Sequence, residues 1–179
     1  MKAFSFITQN PGKVAELQAK AHEFGLEIVQ VNASYPELQA DTLEEVVRYG
    51  LSYCLEKFSP PFIIEDSGLF IDDANGFPGP YSSYVHRTIG NNGVVKLIGD
   101  GRPGRFESVI GSCYRDFKLF FGRVEGHIVS SRGNQGFGFD PIFEYEGRTF
   151  AEMSIDEKNA ISHRSKAAEL FLQWASTII

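Results

Sequence analysis

Cysteine is scarce in this chain: Cys54 and Cys113 are the only two among 179 residues. Two cysteines cannot form a disulfide framework, and their spacing is not that of a metal site, so we expect two reduced, half-buried thiols. No apolar run is long enough to cross a membrane. The apolar run within residues 1–13 is too short for a signal peptide and predicts a first β-strand instead. These absences favour a cytoplasmic protein that does not bind membranes.

Positive charge is also in short supply. The chain has 17 lysines and arginines against 23 acidic residues, which gives a formal net charge of −6. That balance argues against non-specific binding to nucleic acid. If the ligand is a polyphosphate, its attraction must come from a local cluster of cations and from a metal held by acidic side chains.

Length and composition favour one domain. At 179 residues, with 42% hydrophobic and 22% charged residues, the chain is large enough for a substantial core and is ordinary for a globular protein. It has no internal repeat, no low-complexity tract and no long linker. We therefore expect residues 1–179 to form a single domain.

The first part of the chain alternates strands with helices. The periodicity of its apolar residues predicts, in the order strand, helix, strand, helix, strand, elements at 2–8, 12–24, 27–31, about 43–57 and 62–64. Thr42 and Glu45 form a capping box that opens the second helix. This order predicts parallel neighbouring strands joined by crossover helices.

The second part predicts a helical stretch, a hairpin and a last helix. Residues 83–98 have a helical pattern interrupted by the glycines of 90–93, and residues 105–114 and 118–129 read as two strands of a hairpin. Ser162 can cap the last helix. The stripe that this helix is expected to bury consists of Ala167, Leu170, Phe171, Trp174 and Ile178.

The stretch 62–84 carries the strongest indication of a site. An apolar run ends on Glu65 and Asp66, followed at once by Ser67 and Gly68. Carboxylates and a small hydroxyl at a strand end that turns sharply are typical of catalytic groups in α/β proteins. For Glu65 alone, a solvated acid is the simpler interpretation. The turn signals Asn-Gly and Pro-Gly-Pro further on indicate that the backbone is held in a specific shape.

A second candidate is the connection between the first strand and the first helix. Thr8, Asn10 and Lys13 lie in a short polar turn that contains Pro11 and Gly12. Free amide hydrogens and the positive end of the helix dipole make such a turn suitable for an anion. The spacing is not that of a Walker loop, and by itself the signal is weak.

Glycines alternate with aromatic residues in the stretch 131–143. Phe137 lies between two glycines and is followed by Gly138, Phe139 and Asp140. Phe139 could be an ordinary core residue. Glycine neighbours leave room for a flat ligand against Phe137, so the stretch predicts a nucleobase that is stacked on this ring and hydrogen-bonded to Asp140.

The last candidate stretch is 154–166. Ser154 and Glu157 form another capping box. His163 and Arg164 then fall in the first turn of the last helix, where the helix dipole disfavours cations. Two cations there suggest an anionic or acceptor-rich partner, although a surface pair without a role is the alternative.

Four motifs together resemble the signatures of a known family. TQNPGK, EDSGLFID with GFPGPYS, GFGFDPIF and TFAEMSIDEKNAISHR are similar to those of the inosine triphosphate pyrophosphatase family (Ham1/RdgB-like), in its archaeal-type branch. The match runs in order from residue 8 to residue 166. The resemblance implies an α/β fold with an elongated central mixed β-sheet, flanking helices and two lobes around a nucleotide-binding cleft. It also implies a homodimer, dependence on Mg²⁺, and cleavage of ITP, dITP and XTP to the monophosphate and pyrophosphate.

The resemblance also implies roles for individual residues. Asp66 is implied as the base that activates water and, with Glu37, as a metal ligand. From the chemistry of the reaction we expect Lys13 to supply a catalytic cation and Glu65 to be a further metal ligand. The residues implied to bind the nucleotide are Thr8, Asn10, Lys13, Ser67, Gly68, Phe137, Gly138, Phe139, Asp140, Lys158, Ser162, His163 and Arg164.

One position departs from the family pattern. Many members carry a phosphate-binding lysine on the second helix, where this chain has Gly50, with Arg48 and Lys57 as the nearest cations. Two other functions remain to be weighed: a Maf-like pyrophosphatase of modified pyrimidine triphosphates, and a nucleotide sensor without turnover. The third and fourth motifs argue against the first of these, and the set of acids with Lys13 argues against the other.

Overall fold

The computed structural model describes residues 2–36 and 38–178. Within them, seven strands form one open mixed sheet. The strands are β1 (Lys2–Ile7), β2 (Leu26–Val31), β3 (Phe62–Ile71), β4 (Arg102–Cys113), β5 (Phe117–Ile128), β6 (Phe143–Tyr145) and β7 (Arg148–Thr149). Their order across the sheet is β2-β1-β3-β4-β5-β6-β7. β1 runs parallel to β2 and β3, and the pairs from β3 onward are antiparallel. The predicted mixed α/β sheet is confirmed.

Within the described residues, six α-helices flank the sheet. They are α1 (Pro11–Ala21), α2 (Leu43–Leu55), α3 (Ser82–Thr88), α4 (Gly90–Ile98), α5 (Ile155–Ile161) and α6 (His163–Ile178). The capping box of Thr42 and Glu45 opens α2, and that of Ser154 and Glu157 opens α5, as predicted. None of the helices in the described ranges combines the length and the apolar composition needed to cross a membrane.

β3 is the main departure from the predicted elements. Its apolar residues were expected to end at Ile64, but the strand continues through Glu65, Asp66, Ser67 and Gly68 to Ile71. This expectation was wrong because β4 supplies a backbone partner for every one of these residues, from Phe62 opposite Cys113 to Ile71 opposite Gly104. The polar stretch therefore lies in the middle of a strand. Because side chains alternate along it, Glu65 and Asp66 point to opposite faces of the sheet.

Three hydrophobic clusters explain where the cleft forms. One packs α1 and α6 against β1 and includes Ile63, and another packs α2 against β3 and includes Ile64. The third lies at the other end of β3, contains Leu69 and Ile71, and extends to the segments around α3, α4 and β6. Glu65 to Gly68 are the residues of β3 that belong to none of these clusters. The cleft forms where the apolar packing is interrupted.

Smaller differences from the predicted elements have local causes. The stretch 83–98 is two helices that part at Ile89 and Gly90, where Gly90 has a φ of 64°. α1 stops at Ala21 and ends in a 3-10 turn before Gly25. Leu170 was expected in the buried stripe of α6 but is 49% exposed. Cys54 and Cys113 are free thiols, as predicted, and are fully rather than half buried.

Candidate active site

A cleft of about 620 Å³ lies between the start of α1, the middle of β3, α3 and the loop before β6. It brings together most of the residues predicted from the sequence. Those that line it are Thr8, Asn10, Lys13, Glu65, Asp66, Ser67, Gly68, Phe137, Gly138, Phe139, Asp140, His163 and Arg164. Lys158 and Ser162 do not line it, and Glu37 lies outside the described residues.

The turn before α1 differs from the prediction in one respect. The side chain of Asn10 caps the helix by accepting hydrogen bonds from the amides of Gly12 at 2.9 Å and Lys13 at 3.4 Å. The amide of Asn10 in turn donates to the hydroxyl of Thr8 at 3.1 Å. The amides expected to be free for an anion are therefore used within the turn. What this turn offers a ligand is the side chain of Lys13.

Glu65 is the centre of a buried ion network. Its Oε1 accepts hydrogen bonds from the hydroxyl of Ser108 at 2.6 Å and from Nε of Arg164 at 3.2 Å. Its Oε2 lies 2.8 Å from Nζ of Lys13, which also donates to the backbone carbonyl of Glu65 at 3.2 Å. Burial alone would raise the pKa of Glu65, but Arg164 and Lys13 hold it well below its usual range.

This arrangement corrects the expectation that Glu65 is a metal ligand. Both of its oxygens are engaged by protein cations and a hydroxyl, and its side chain is fully buried. Within the described residues, no group of three or more histidine, cysteine or acidic side chains is close enough to hold a metal ion. Glu65 instead positions Lys13 and Arg164 at the cleft.

Asp66, Ser67 and Gly68 form the floor of the cleft. Asp66 is half-buried, and its Oδ1 accepts a hydrogen bond from the amide of Ser67 at 2.9 Å. The hydroxyl of Ser67 accepts one from Nη2 of Arg164 at 3.0 Å. Asp66 points to the side of the sheet opposite Glu65 and lines the cleft. Its carboxylate faces the cleft.

Arg164 connects three parts of the site. Besides Glu65 and Ser67, its guanidinium binds Oε2 of Glu16 at 2.5 Å. Burial would lower its pKa, but Glu65 and Glu16 raise it, so the group stays charged. A guanidinium has five N–H donors, and three are used in these bonds. The remaining donors are available to a ligand in the cleft.

Glu16 is a member of the ion network behind the cleft that was not predicted from the sequence. On α1, one turn after Lys13, it accepts hydrogen bonds from Lys158 at 3.1 Å and from Arg164 at 2.5 Å. Burial would raise its pKa, but these two cations lower it. The only available signal was its spacing of three residues from Lys13, which places both on one face of α1. That spacing is too common to identify a site residue.

The loop carrying Phe137 is held in shape by Asp140. Oδ2 of Asp140 accepts hydrogen bonds from the amide of Phe137 at 2.8 Å and from Nζ of Lys158 at 2.7 Å. Gly136 has a φ of 73° and lies so close to this carboxylate that a Cβ there would collide with it. Lys158, predicted to contact the nucleotide, thus lies behind the cleft wall, where it fixes the position of Asp140.

Phe137 and Phe139 have different environments. Phe137 is 36% exposed, and its ring centroid lies 4.7 Å from Nζ of Lys158 and 5.2 Å from Cζ of Arg164. Phe139 is buried among core residues, which agrees with the simpler interpretation of that position. Its ring meets that of His86 edge to face at 5.2 Å. Of these two rings, Phe137 is the one that offers a surface to a ligand.

His163 is neutral rather than a cation. It is buried, and its ring stacks on Phe106 with the centroids 4.5 Å apart. Burial, reinforced by Arg164, lowers its pKa well below the usual value. The expected pair of cations at the start of α6 was therefore wrong in part: only Arg164 is charged, and it is paired with carboxylates. Nδ1 of His163 has no hydrogen-bond partner among the described residues, and Ser162 caps α6 by accepting from the amide of Ser165.

Comparison with known proteins agrees with this fold and cleft. A dITP/XTP pyrophosphatase of Pyrococcus horikoshii is 54% identical over 181 residues, covering 97% of this chain and 96% of the relative. Another of Thermococcus kodakarensis is 49% identical over 175 residues, covering 95% of each. The structure of a HAM1 protein from Coxiella burnetii matches with a TM-score of 0.85 at 27% identity, over 99% of this chain and 100% of that one.

The fold and the cleft define an α/β protein with a polar cleft across an open mixed sheet. The model of the Ham1 family matches residues 4–174. This chain belongs to the Ham1 family, which confirms the resemblance found in the motifs.

The role of Glu16 can be measured through stability. We expect Glu16→Gln to lower the free energy of unfolding by about 3 kcal/mol, because it leaves Lys158 and Arg164 short of a buried counter-charge. Glu169→Gln is the matched control, since its side chain is 53% exposed and lies 3.9 Å from Lys20. That variant should change stability by less than about 1 kcal/mol. Urea denaturation measures both, and equal effects would contradict a special role for Glu16.

The neutral state of His163 predicts a pH dependence of stability. In the unfolded chain this residue has a pKa of about 6.5 and binds a proton below that pH. In the folded protein its pKa is well below the usual value, so it stays neutral over the same pH range. The free energy of unfolding should therefore fall with decreasing pH between about 6.5 and 5, by up to about 1.4 kcal/mol per pH unit. His163→Asn should remove this slope, whereas His127→Asn, at an exposed position, should retain it. A slope unchanged in His163→Asn would show that another group is responsible.

Proposed function

We propose that this protein hydrolyses the non-canonical purine nucleoside triphosphates dITP, ITP and XTP to the monophosphate and pyrophosphate. The observation that carries the proposal is a single cleft with two chemically different ends. One end has an exposed aromatic ring beside a carboxylate and a guanidinium, and the other has Lys13, Asp66 and Ser67. Relatives named dITP/XTP pyrophosphatase, up to 54% identical over nearly the full chain, support it.

The nucleobase end suits a base with an acceptor at position 6 and a donor at N1. Hypoxanthine and xanthine present this pattern, and adenine presents the reverse. Guanine shares the pattern, so its rejection must rest on a 2-amino group that finds no partner. Arg164 retains unused N–H donors for O6. The hydrogen bonds that Asp140 accepts from the described residues go to Oδ2, so Oδ1 can accept from N1–H. Adenine would set its amino group against Arg164 and its N1 lone pair against Asp140. Such mismatches leave buried groups unpaired and reject the wrong base strongly.

His163 contributes a further polar atom to this end. Its unpartnered Nδ1 belongs to a neutral ring that lines the cleft. Depending on the tautomer, this atom donates to or accepts from a base or ribose group. Phe137 supplies the stacking surface. Lys158, Glu16 and Ser162 act behind these groups and hold them in position.

The phosphate end suits attack by water on the α-phosphorus. The water oxygen forms a bond to phosphorus as the bond from phosphorus to the α–β bridging oxygen breaks, which releases pyrophosphate. Asp66 accepts the proton of the attacking water. Lys13, held by Glu65, stabilises negative charge on the phosphates, and Ser67 donates a hydrogen bond to them. Catalysis of this kind depends on positioning and electrostatics and needs no covalent intermediate.

The site also suits a divalent cation, and we propose Mg²⁺. Asp66 presents a carboxylate to the cleft beside the position of the phosphates, and Mg²⁺ is commonly held by one or two carboxylates together with phosphate oxygens and waters. Asp66 and Glu37 would hold the ion, whereas Glu65 is excluded by its own ion pairs. When bound, the ion would neutralise charge on the phosphates.

The proposal also covers the oligomeric state, the cellular location and the binding partners of the protein. We propose a homodimer of one-domain subunits spanning residues 1–179, acting in the cytoplasm and binding neither nucleic acid nor membranes. Two free buried cysteines are consistent with a reducing compartment. The net charge of −6 opposes binding to nucleic acid. Light scattering of the purified protein tests the dimer directly.

Pyrophosphate release tests the function. With Mg²⁺, we expect release from dITP, ITP and XTP and little from dATP, GTP, CTP or UTP. Asp66→Asn should lower kcat at least about 100-fold while the affinity for dIMP stays within about twofold of the wild type. Equal release from dATP would reject the proposed base selection, and release from pyrimidine triphosphates alone would favour the Maf-like function. No release from any nucleotide that nevertheless binds would favour a sensor.

Phe137 allows a test of the nucleobase end alone. Phe137→Ala should raise the Kd for dIMP and the KM for dITP by about 5- to 100-fold, because stacking on an aromatic ring contributes roughly 1–3 kcal/mol per base. Phe137→Tyr keeps the ring and should remain close to the wild type. The side chain is partly exposed, so neither variant should unfold the protein. An unchanged Kd for dIMP in Phe137→Ala would show that the nucleobase does not stack on this ring.

A further inference from the structure

Among the described residues, three side chains that carry a permanent positive charge line the cleft, and two of them are already paired. Lys13 binds Glu65, and Arg164 binds Glu65 and Glu16. Arg87 is the third. Among the described residues, no carboxylate lies within ion-pair distance of Arg87, whose exposed guanidinium only approaches the ring of Tyr84, at 5.9 Å. Its positive charge is therefore not compensated within the described structure.

Arg87 belongs to a well-anchored helix. Ser82, at the start of α3, donates a hydrogen bond to the carbonyl of Gly79 at 2.7 Å and accepts one from the amide of Leu69 at 2.8 Å. Val85 is buried, and His86 contacts Phe139. Four residues of this helix, Ser82, Ser83, His86 and Arg87, line the cleft. Their spacing corresponds to one helical face, so the fold directs this face, with Arg87 at its end, into the cleft.

The second helix cannot supply a cation in place of Arg87. A Cβ on Gly50 would lie 2.7 Å from Ile64 and 2.9 Å from the ring of Tyr35, so this position has no room for a long side chain. Arg48 is paired with Glu44 at 2.7 Å, and Lys57 lies over the ring of Tyr53 at 4.1 Å. Neither Arg48 nor Lys57 lines the cleft.

We propose that Arg87 binds the β- and γ-phosphates of the substrate, the part that leaves as pyrophosphate. This inference rests on the proposed function. The two distal phosphates carry most of the negative charge of a nucleoside triphosphate. Lys13 shares its charge with Glu65, whereas no described carboxylate pairs with Arg87. A guanidinium can bind phosphate oxygens in a bidentate manner. Arg87 thus supplies the phosphates with a positive charge that α2 does not supply.

The test separates the distal phosphates from the rest of the nucleotide. Arg87→Ala should raise the KM for dITP and the Kd for pyrophosphate by about 10-fold or more, as expected for loss of hydrogen bonds to a charged group. The Kd for dIMP, which lacks these phosphates, should stay unchanged. Arg87→Lys keeps the charge without the planar fork and should recover part of the affinity. Arg48→Ala removes the same charge outside the cleft and should change none of these constants.

Calorimetry with pyrophosphate and dIMP, in the presence of Mg²⁺, decides between the outcomes. An unchanged Kd for pyrophosphate in Arg87→Ala overturns the inference even if the enzyme hydrolyses dITP. An equal loss of affinity for dIMP also overturns it, because Arg87 would then contact the nucleoside or the α-phosphate. If the wild type releases no pyrophosphate from any nucleotide, the proposed function fails, but the effect of Arg87→Ala on pyrophosphate binding still tests the inference. A wild type that binds no pyrophosphate overturns the inference, whereas release of pyrophosphate from dITP still decides the proposed function.

Discussion

The site depends on one buried carboxylate. Glu65 lies in the middle of β3, and its two oxygens hold Lys13 from α1, Ser108 from β4 and Arg164 from α6. Four elements that are far apart in the chain thus meet at a single charge. Glu16 extends the network by joining Arg164 to Lys158, which in turn fixes Asp140 and with it the amide of Phe137. The phosphate end and the nucleobase end of the cleft are connected through these ion pairs.

A buried network of this kind contributes more to geometry than to net stability. Removing charges from water is costly, and well-made ion pairs about offset that cost. What they provide is a fixed position for each charged group, because a member that moved away would leave its partner unpaired in a low dielectric. In this protein the fixed positions are those of two cations and one acceptor facing the cleft. Preorganised charges suit both base recognition and catalysis of phosphoryl transfer.

Local signals in the sequence predicted local structure well. The capping boxes at Thr42 and Ser154, the parallel strands of the first part and the long hairpin of the second are all present. The motifs identified the family and most of the residues that line the cleft. These features depend on neighbours in sequence or on patterns within one segment, so they can be predicted from a single amino-acid sequence.

The errors came from partners distant in sequence. β3 continues through its polar residues because β4, some 40 positions later, pairs with them. Glu65 was interpreted as a metal ligand because its partner Arg164 is 99 residues away. His163 was interpreted as a cation because its burial against Phe106 cannot be seen in the motif. Glu16 was missed because its role exists only once α1, α5 and α6 have packed together.

The continuous path of β3 sets the mechanics of the cleft. β3 passes from the hydrophobic clusters at one end into the cluster at the other, and β4 pairs with it over its whole length from Phe62 to Ile71. The two walls therefore share a hydrogen-bonded floor instead of a flexible linker. Movement of the two walls apart as rigid bodies would have to twist or bend the hydrogen-bonded pair of strands β3 and β4. Entry and exit of a ligand are therefore left to side chains at the rim, and the two walls keep a fixed relative position.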